Sequence, residues 1–448
     1  MSNEKNQAAL DYHSQPAPGK VAVVPTKPCI TQQDLAMAYT PGVAVPCLEI
    51  KERPEDVWKY TMKGNSVAVV SDGTAVLGLG NIGPEAGIPV MEGKSVLFKR
   101  FADIDSMPLC ISKVFQPNGR TDAAKLIAVT ECLEPCFGGI NLEDIASPAC
   151  FEVEQTLKKR MNIPVFHDDQ HGTAIISLAA ILNATKILGK KMEDLRFVVN
   201  GAGAAGISCS ELYITAGARR ENFLMCDSKG VIYEGRGNLT PEKQRFAAKT
   251  DKRTLAEAMV GADVFLGLSV GNCVTKEMVK SMNKGAIIFA MANPVPEIFP
   301  ADAYDAGAAV VGTGRTDFPN QINNVLGFPG IFRGALDVRA TDINEAMKLA
   351  AAHALTEVAE MKVDPETFRE LEIAYPKDAA AGMFNGDNPL SLNYVIPKPF
   401  DPRVVPHVAR KVAEAAMKSG VATMPIKDFD AYEASVRARI KKTNSRAV

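Results

Sequence analysis

The sequence lacks an excess of either charge: 50 Lys and Arg stand against 52 Asp and Glu. A chain that neutralises phosphates or anionic headgroups needs a basic surplus, so nucleic-acid and membrane-surface partners are not expected. The clusters Lys158-Lys159-Arg160, Lys190-Lys191 and Arg219-Arg220 are expected on solvated helix ends. Long apolar runs are lacking too, none approaching the roughly 18 residues that span a bilayer. The start, Met-Ser-Asn-Glu-Lys-Asn, leads into no apolar stretch of the secretory kind. The nine cysteines form no CxxC pair and no zinc-finger spacing, Cys132 and Cys136 being the closest two. Scattered thiols in odd number suit a reducing compartment, most of them as small core residues, so a cytoplasmic protein is expected. Internal repeats and low-complexity tracts are absent.

What remains is globular, with 46% apolar and 23% charged residues. A chain of 448 residues exceeds one ordinary core, so two or three domains are expected. The organising stretch is Ile163-Pro-Val-Phe-His-Asp-Asp-Gln-His-Gly-Thr173. Ile163 to Phe166 predicts a short buried strand, and Gly172 and Thr173 open an apolar helix running from Ala174 to Leu188. Asp168 and Asp169 therefore lie at the carboxyl end of a strand, the edge where α/β sheets bind ligands. A second acidic pair, Glu143-Asp144, ends the strand predicted over Gly138 to Leu142. Paired carboxylates repel unless a cation or a lysine offsets them. Three or four such oxygens suit Mg²⁺ or Mn²⁺; His167 and His171 could suggest zinc, but no matched Cys/His set accompanies them.

Upstream, the first thirty residues are polar and Pro-bearing, which predicts a loosely structured arm. Thr31 caps a short helix through Ala38 that stops at Tyr39-Thr40-Pro41-Gly42. On position alone, Tyr39 is a packing tyrosine with a locally satisfied hydroxyl. Ser66 to Ser71 and Ala75 to Leu79 look like strands, joined by Asp72-Gly73. Gly78-Leu-Gly-Asn-Ile-Gly83 spells GxGxxG, yet Pro84, Gly87 and Pro89 follow, so no helix is expected to open there and a close-packed turn is the better reading. Lys94 falls in the first turn of a helix predicted over Glu92 to Phe101. It is either a snorkelling surface lysine or a cleft lysine with a depressed pKa, able to act as a base. Helices are also expected over Ala123 to Leu133 and Phe151 to Met161.

After Gly189 the pattern changes. A strand over Leu195 to Val199 runs into Asn200-Gly-Ala-Gly-Ala-Ala-Gly206, with a helix from Ala204 to Thr215 and a second strand from Asn222 to Cys226. Here GxGxxG has its βαβ context: Gly201 allows the turn, Gly203 lets backbone approach a pyrophosphate, and Gly206 lets helix and strand pack. Asp227 follows Gly206 by about 20 residues, where an acid takes the adenosine ribose. Strands over Asp263 to Leu268, Ala286 to Met291 and Ala309 to Gly312 continue a doubly wound parallel sheet. Gly267-Leu-Ser-Val-Gly271 matches the GxSxG elbow, but within this lobe Ser269 is expected to border the adenosine instead. Amides at Asn293 and Asn324 suit substrate carboxylates, or else ordinary Asx turns. Helices over Ile343 to Glu360 and Val405 to Met417 and a basic end complete the chain.

Five stretches together resemble the malic enzymes, in their compact bacterial type: Ala38-Tyr-Thr-Pro-Gly-Val43, Val70 to Gly83, Glu92-Gly-Lys-Ser-Val-Leu-Phe-Lys99, Phe166-His-Asp-Asp-Gln-His-Gly-Thr173 and Asn323-Asn-Val-Leu-Gly-Phe-Pro-Gly330. The resemblance runs from about Thr31 to beyond Pro389. It implies an α/β chain with an N-terminal substrate and catalytic domain (1–160), a Rossmann-type doubly wound domain (161–395) and a C-terminal tail with a helix (396–448). It also implies oxidative decarboxylation of L-malate to pyruvate, with Tyr39 as general acid, Lys94 as general base and Asp168 beside the lysine. Metal ligands fall on Glu143, Asp144 and Asp169, and substrate amides on Asn293 and Asn324. The dinucleotide is expected on Gly201, Ala202, Gly203, Ala204, Ala205, Gly206, Asp227, Ser228, Lys229, Ser269 and Asn293. The arginine that larger eukaryotic-type relatives place after the Asp-Gly turn is replaced by Thr74-Ala75-Val76. An acid at Asp227 ordinarily favours NAD, but Asp227-Ser228-Lys229 resembles the NADP-using branch, and Lys229, Arg236 and Lys243 can offset phosphate charge. NADP is expected, with an NAD-preferring or malolactic-type enzyme as the alternative. A homodimer is expected from the family alone. The chain ends about fifty residues past this core, so the phosphotransacetylase-like extension of some relatives, with allostery through it, is not expected.

Overall fold

The computed structural model describes residues 3–445; the first two residues of the N-terminal arm and the last three of the basic end lie outside them. Two parallel sheets lie at its centre. The first comprises β1 (Ser66–Ser71), β2 (Asp105–Cys110), β3 (Gly139–Leu142) and β4 (Val165–His167), in the order β2-β1-β3-β4. β1 is buried at every position, as befits a strand covered on both faces by crossover helices. The expected strand over Ala75 to Leu79 is instead one isolated bridge, Val76 to Gly80, and a short 3₁₀ turn, because the N–H of Ala75 is taken by the carbonyl of Asp144. β2 was not expected. It holds Pro108, which an edge strand tolerates because one row of its backbone groups has no neighbour to bond.

The second sheet comprises β5 (Phe197–Asn200), β6 (Phe223–Asp227), β7 (Gly230–Val231), β8 (Val264–Gly267), β9 (Ile287–Ala290) and β10 (Val310–Thr313). Its order is β10-β9-β8-β5-β6-β7, parallel except for β7 against β6. The chain winds one way from β5 to β6 and the other from β8 to β10, so the switch point lies between β5 and β8. This is the expected α/β architecture, an N-terminal α/β lobe joined to a Rossmann-type sheet.

One helix, Asp168–Leu188, joins the lobes. It begins at Asp168, ahead of the expected Gly172, since acids in a first turn face the positive end of the helix dipole. Gly189, at φ 64°, ends it in the left-handed conformation. By length and hydropathy it could cross a membrane, against expectation, but 67% of its apolar window is buried within the fold. It packs on the helices Ala204–Thr215 and Glu345–Glu360. β4 pairs with β3, so residues past 160 complete the first sheet.

The termini are more ordered than their composition suggests. The arm opens with a helix, Asn3–Ser14, in place of a loose segment; Lys20 then anchors the arm by donating to the carbonyl of Pro89 at 2.6 Å. The C-terminal segment is no detached tail. Helix Val404–Lys418 packs on Phe328–Asp337 and Glu345–Glu360. The last helix, Phe429–Asn444, returns to the first lobe, where Arg439 reaches Asp103 and Asn65, both at 2.7 Å.

Candidate active site

β3 and β4 are neighbours, so the acids that follow them meet. One carboxylate oxygen from each of Glu143, Asp144 and Asp169 lies within 4.8 Å of the others. Asp144 sits at φ 54°, a left-handed conformation that Asp tolerates, and its N–H donates to Asp169 at 2.7 Å. Burial holds Glu143 well above the usual carboxylate range; Lys94 pulls it down, while Asp169, Asp168 and Asp144 add to the rise. Asp168 turns toward Lys94 instead, whose Nζ lies 2.7 Å from Asp168 and 3.0 Å from Glu143.

Lys94 departs from both expectations. It is neither a surface lysine nor one with a depressed pKa. It projects from the middle of a helix that runs from Gly83 to Ala102, and its side chain is only 11% exposed. Burial pulls its pKa down, but Asp168 and Glu143, with Asp169, overcome this and hold it above its usual value. The face of Phe328 lies 4.4 Å beneath the ammonium. Asn324 completes this side: its Nδ2 donates to Asp168 at 3.0 Å and its Oδ1 accepts from Thr173 at 3.1 Å, so both ends of the amide are engaged within the protein.

Neither His167 nor His171 belongs to the carboxylate cluster. His171 pairs with the buried Glu154 at 2.8 Å and, through Nδ1, meets Lys348 at 3.2 Å. His167 is fully buried, with Nδ1 3.7 Å from Asp169. The clustered donors are therefore all carboxylates, a set that fits a hard dication such as Mg²⁺ or Mn²⁺ better than zinc. Tyr39 stands apart. Its helix, Gln32–Ala38, starts with the expected Thr31 cap, here a capping box with Asp34. The Tyr39 side chain is 70% exposed, and no hydrogen bond satisfies its hydroxyl among the described residues.

At the second sheet, Gly201 (φ 128°) makes the turn after β5; a Cβ there would lie 2.4 Å from the carbonyl oxygen of Leu268. Gly206 is equally closed, its Cβ position 1.9 Å from the oxygen of Gly201, whereas nothing lies within 4 Å of a Cβ on Gly203. The tight turn, the open approach and the close packing thus fall on the three glycines in turn. Ala202, Ala204 and Ala205 fill the loop and the first turn of helix Ala204–Thr215. Ser269 accepts a hydrogen bond from Asn200 at 2.8 Å, and Asn293 is exposed beyond β9. Asp227, at the end of β6, is gripped by Arg236 at 2.6 Å and Lys243 at 3.0 Å and accepts from the N–H of Lys229; Ser228 and Lys229 are exposed. Burial pushes the Asp227 pKa up, but Arg236, Lys229 and Lys243 bring it below the usual range.

The first GxGxxG does run into a helix, which starts at Gly83 with Pro84 in its first turn, a place proline suits. It fails as a phosphate loop on the other side, since β1 ends at Ser71 and no strand leads into it. Gly78 packs instead against the second lobe, its Cβ position 2.5 Å from the carbonyl oxygen of Asn293. Sequence reasoning missed Asn141, whose Nδ2 holds Glu143 at 2.7 Å. Its spacing of two along a strand, which puts both side chains on one face, was the available signal. It also missed Phe328 and the buried set of Asp72, Thr74 and Thr121, in which Thr74 Oγ1 accepts from the N–H of Ala146 at 2.9 Å.

A Rossmann-type sheet with its glycine loop at the switch point, beside a lobe bearing a lysine–carboxylate centre, defines a dinucleotide-binding α/β protein of the oxidoreductase class. Two family models locate it further: the malic enzyme N-terminal domain matches residues 18–158 and the malic enzyme NAD-binding domain matches 170–376. The chain belongs to the malic enzyme family. It is 53% identical to the NADP-dependent malic enzyme of Halomonas elongata, covering 95% of this chain and 96% of that one. It is also 53% identical to the NADP-dependent malic enzyme of Escherichia coli (strain K12) over 99% of its length, but spans only 56% of that relative. The crystal structure of malic enzyme from Pyrococcus horikoshii Ot3 superposes with a TM-score of 0.86 at 41% identity, covering 99% of this chain and 97% of that one.

Proposed function

We propose that the protein oxidatively decarboxylates L-malate to pyruvate and CO₂ while reducing NADP⁺, with Glu143, Asp144 and Asp169 holding Mg²⁺ or Mn²⁺. The observation that carries this reading is Lys94 locked between Asp168 and Glu143 beside three clustered carboxylates. When bound, the dication and the dinucleotide supply polarisation of the C2 oxygen and the acceptor for the C2 hydride. Lys94 Nζ takes the C2 hydroxyl proton, which requires it first to give up the proton that Asp168 and Glu143 hold on it. Cationic charge on Glu143 would weaken that hold, so ligand binding and activation of the base are linked. Asp168, itself fixed by Asn324, keeps Nζ aimed at the centre. Loss of the C4 carboxylate as CO₂ leaves an electron pair on C3; the Tyr39 phenol would supply the proton there once association of two chains carries its exposed helix end to the centre. Asn293 remains a substrate amide in this reading, whereas Asn324 would have to exchange its bond to Asp168 or Thr173 to serve as the other.

NADP is favoured over NAD because Asp227 is already neutralised: Arg236 and Lys243 bind it and the exposed Lys229 follows two residues on, leaving net positive charge where a ribose phosphate would rest. A homodimer is supported by the N-terminal arm, where Val23, Val24, Ile30, Met37 and Leu48 are exposed and no residue of helices Gln32–Ala38 and Ala44–Glu52 is buried. Tyr39 lies within this surface. A cytoplasmic site is supported by nine free cysteines. The test is to follow reduced dinucleotide and pyruvate together, with L-malate, Mn²⁺ and either NADP⁺ or NAD⁺. Equal amounts of NADPH and pyruvate, both lost in Lys94→Ala, are expected. Lactate without reduced dinucleotide would move the assignment to malolactic chemistry, and no turnover with intact dinucleotide binding would leave a sensor.

A further inference from the structure

Among the described residues, Glu297 is the one buried carboxylate near the second lobe's glycine loop that the proposed chemistry does not use. It is 0% exposed. Oε1 accepts from the N–H of Ser269 and Oε2 from the N–H of Ala292, each at 3.0 Å. These two amides belong to different loops, one leaving β8 and the other leaving β9, at the carboxyl edge of the Rossmann-type sheet. The main chain repeats the link, Val274 donating to the carbonyl of Glu297 and Asn272 to that of Pro296, both at 3.0 Å. Room for the carboxylate comes from Gly267, where a Cβ would sit 2.4 Å from the Glu297 carboxyl carbon.

Both tied loops reach the cleft. On the β8 side, Leu268 donates to the carbonyl of Asn200 at 2.8 Å and its own carbonyl closes over Gly201. On the β9 side, Ala292 precedes Asn293, whose carbonyl packs against Gly78 of the first lobe. An ionised carboxylate out of water is costly without a counter-charge, and burial pushes the Glu297 pKa up with no cation to oppose it. The backbone N–H groups of Ser269 and Ala292 are its compensation. No other side chain of this size accepts on two oxygens at once: glutamine offers one oxygen, and its NH₂ would face a backbone donor.

We infer that Glu297 is a positioning residue for the dinucleotide, acting through the Ser269 and Ala292 loops to hold the β8 and β9 walls of the cleft in register with the Gly201 loop. This rests on the dinucleotide reading of the second lobe. The test titrates NADPH by its fluorescence into the full chain, Glu297→Gln and the milder Glu297→Asp. Mn²⁺ binding is measured by electron paramagnetic resonance on the same proteins without dinucleotide. Glu297→Gln is expected to weaken NADPH about tenfold or more while Mn²⁺ affinity stays within about twofold. Amide exchange should quicken over residues 268–274 and 291–293. Glu297→Asp, which keeps the charge but is one methylene short, should lie between and serves if the first variant does not fold. NADPH affinity within about twofold of the parent in a folded variant overturns the inference, as does equal weakening of NADPH and Mn²⁺, which would mean general loosening. Failure of the parent itself to bind NADPH or NADH would overturn the dinucleotide reading instead.

Discussion

Replacing Lys94 by methionine tests the central arrangement without touching an acid. Methionine keeps an unbranched chain but removes the cation that sits 2.7 Å from Asp168 and 3.0 Å from Glu143, in a pocket where those side chains are 0% and 5% exposed. Breaking a buried ion pair from one side costs about 3–5 kcal/mol, because the remaining charge has neither water nor a partner. Here two carboxylates lose their cation while Asn324 and Asn141 still donate to them, so the metal-free variant should lose stability within that range. Part of the loss should be relieved by protonation. Glu143 already sits above its usual range, so the folded protein binds more protons than the unfolded chain. Stability from this group is therefore highest at low pH and declines as pH rises from the ordinary glutamate range toward the raised value. Lys94→Met should extend that decline to higher pH. Urea unfolding with chelator, followed by the fluorescence of the sole tryptophan, Trp58, measures this, since its ring packs on Gly138 just before β3. Mn²⁺ should stabilise the variant more than the parent, having no lysine to compete with. A loss below about 1 kcal/mol, or equal stabilisation of both proteins by Mn²⁺, would refute the account.

Lys243→Ala should weaken NADPH by about tenfold and NADH much less, since Arg236 alone then only balances Asp227 and the surplus positive charge of the pair is lost; equal losses in two binding titrations would dismiss the phosphate argument. In Glu154, burial raises the pKa, but His171, with His167 and Lys158, more than reverses this and brings it from 4.5 to about 2. Its stabilising share is thus complete above the unfolded value of 4.5 and lost as pH falls toward about 2. Glu154→Gln should flatten that acid limb of the urea midpoint, and an unchanged slope would count against the pairing. Gly201→Ala forces a side chain into φ 128° and onto the Leu268 carbonyl, so a loss of about 1–3 kcal/mol and of dinucleotide binding is expected in thermal melts and NADPH titrations. Gly203→Ala, which meets open space, should keep the stability and weaken only the dinucleotide.

Features set by neighbours in the chain were legible in the sequence. The Thr31 cap, the buried run of β1 and the Gly201 to Gly206 loop each depend on a few adjacent residues, and each lies where its pattern put it. Acid pairs at two strand ends were also visible, although their convergence needed β3 and β4 to be neighbours. What escaped was set by distant partners. The state of Lys94 depends on Asp168, more than seventy residues away, so helix position alone suggested a depressed pKa where the carboxylates impose the opposite. Glu154 and Lys348 take His171 out of the ligand set from two other helices. The helix from Gly83 is longer than its prolines suggest: Pro84 stands where its missing N–H has no consequence, and Pro89 is carried within the helix.

The helix Asp168–Leu188 belongs to both lobes: β4 feeds its first turn from one sheet, and its body is core to the other. Mechanically, the carboxylates of that first turn stand at the fulcrum and not at the jaws. If the two sheets rock against each other about this rod, displacement is smallest at Asp168 and Asp169 and grows toward the rim where Gly78 meets Asn293. In such a motion the rim would part for a large dinucleotide while the spacing of the acids hardly changed.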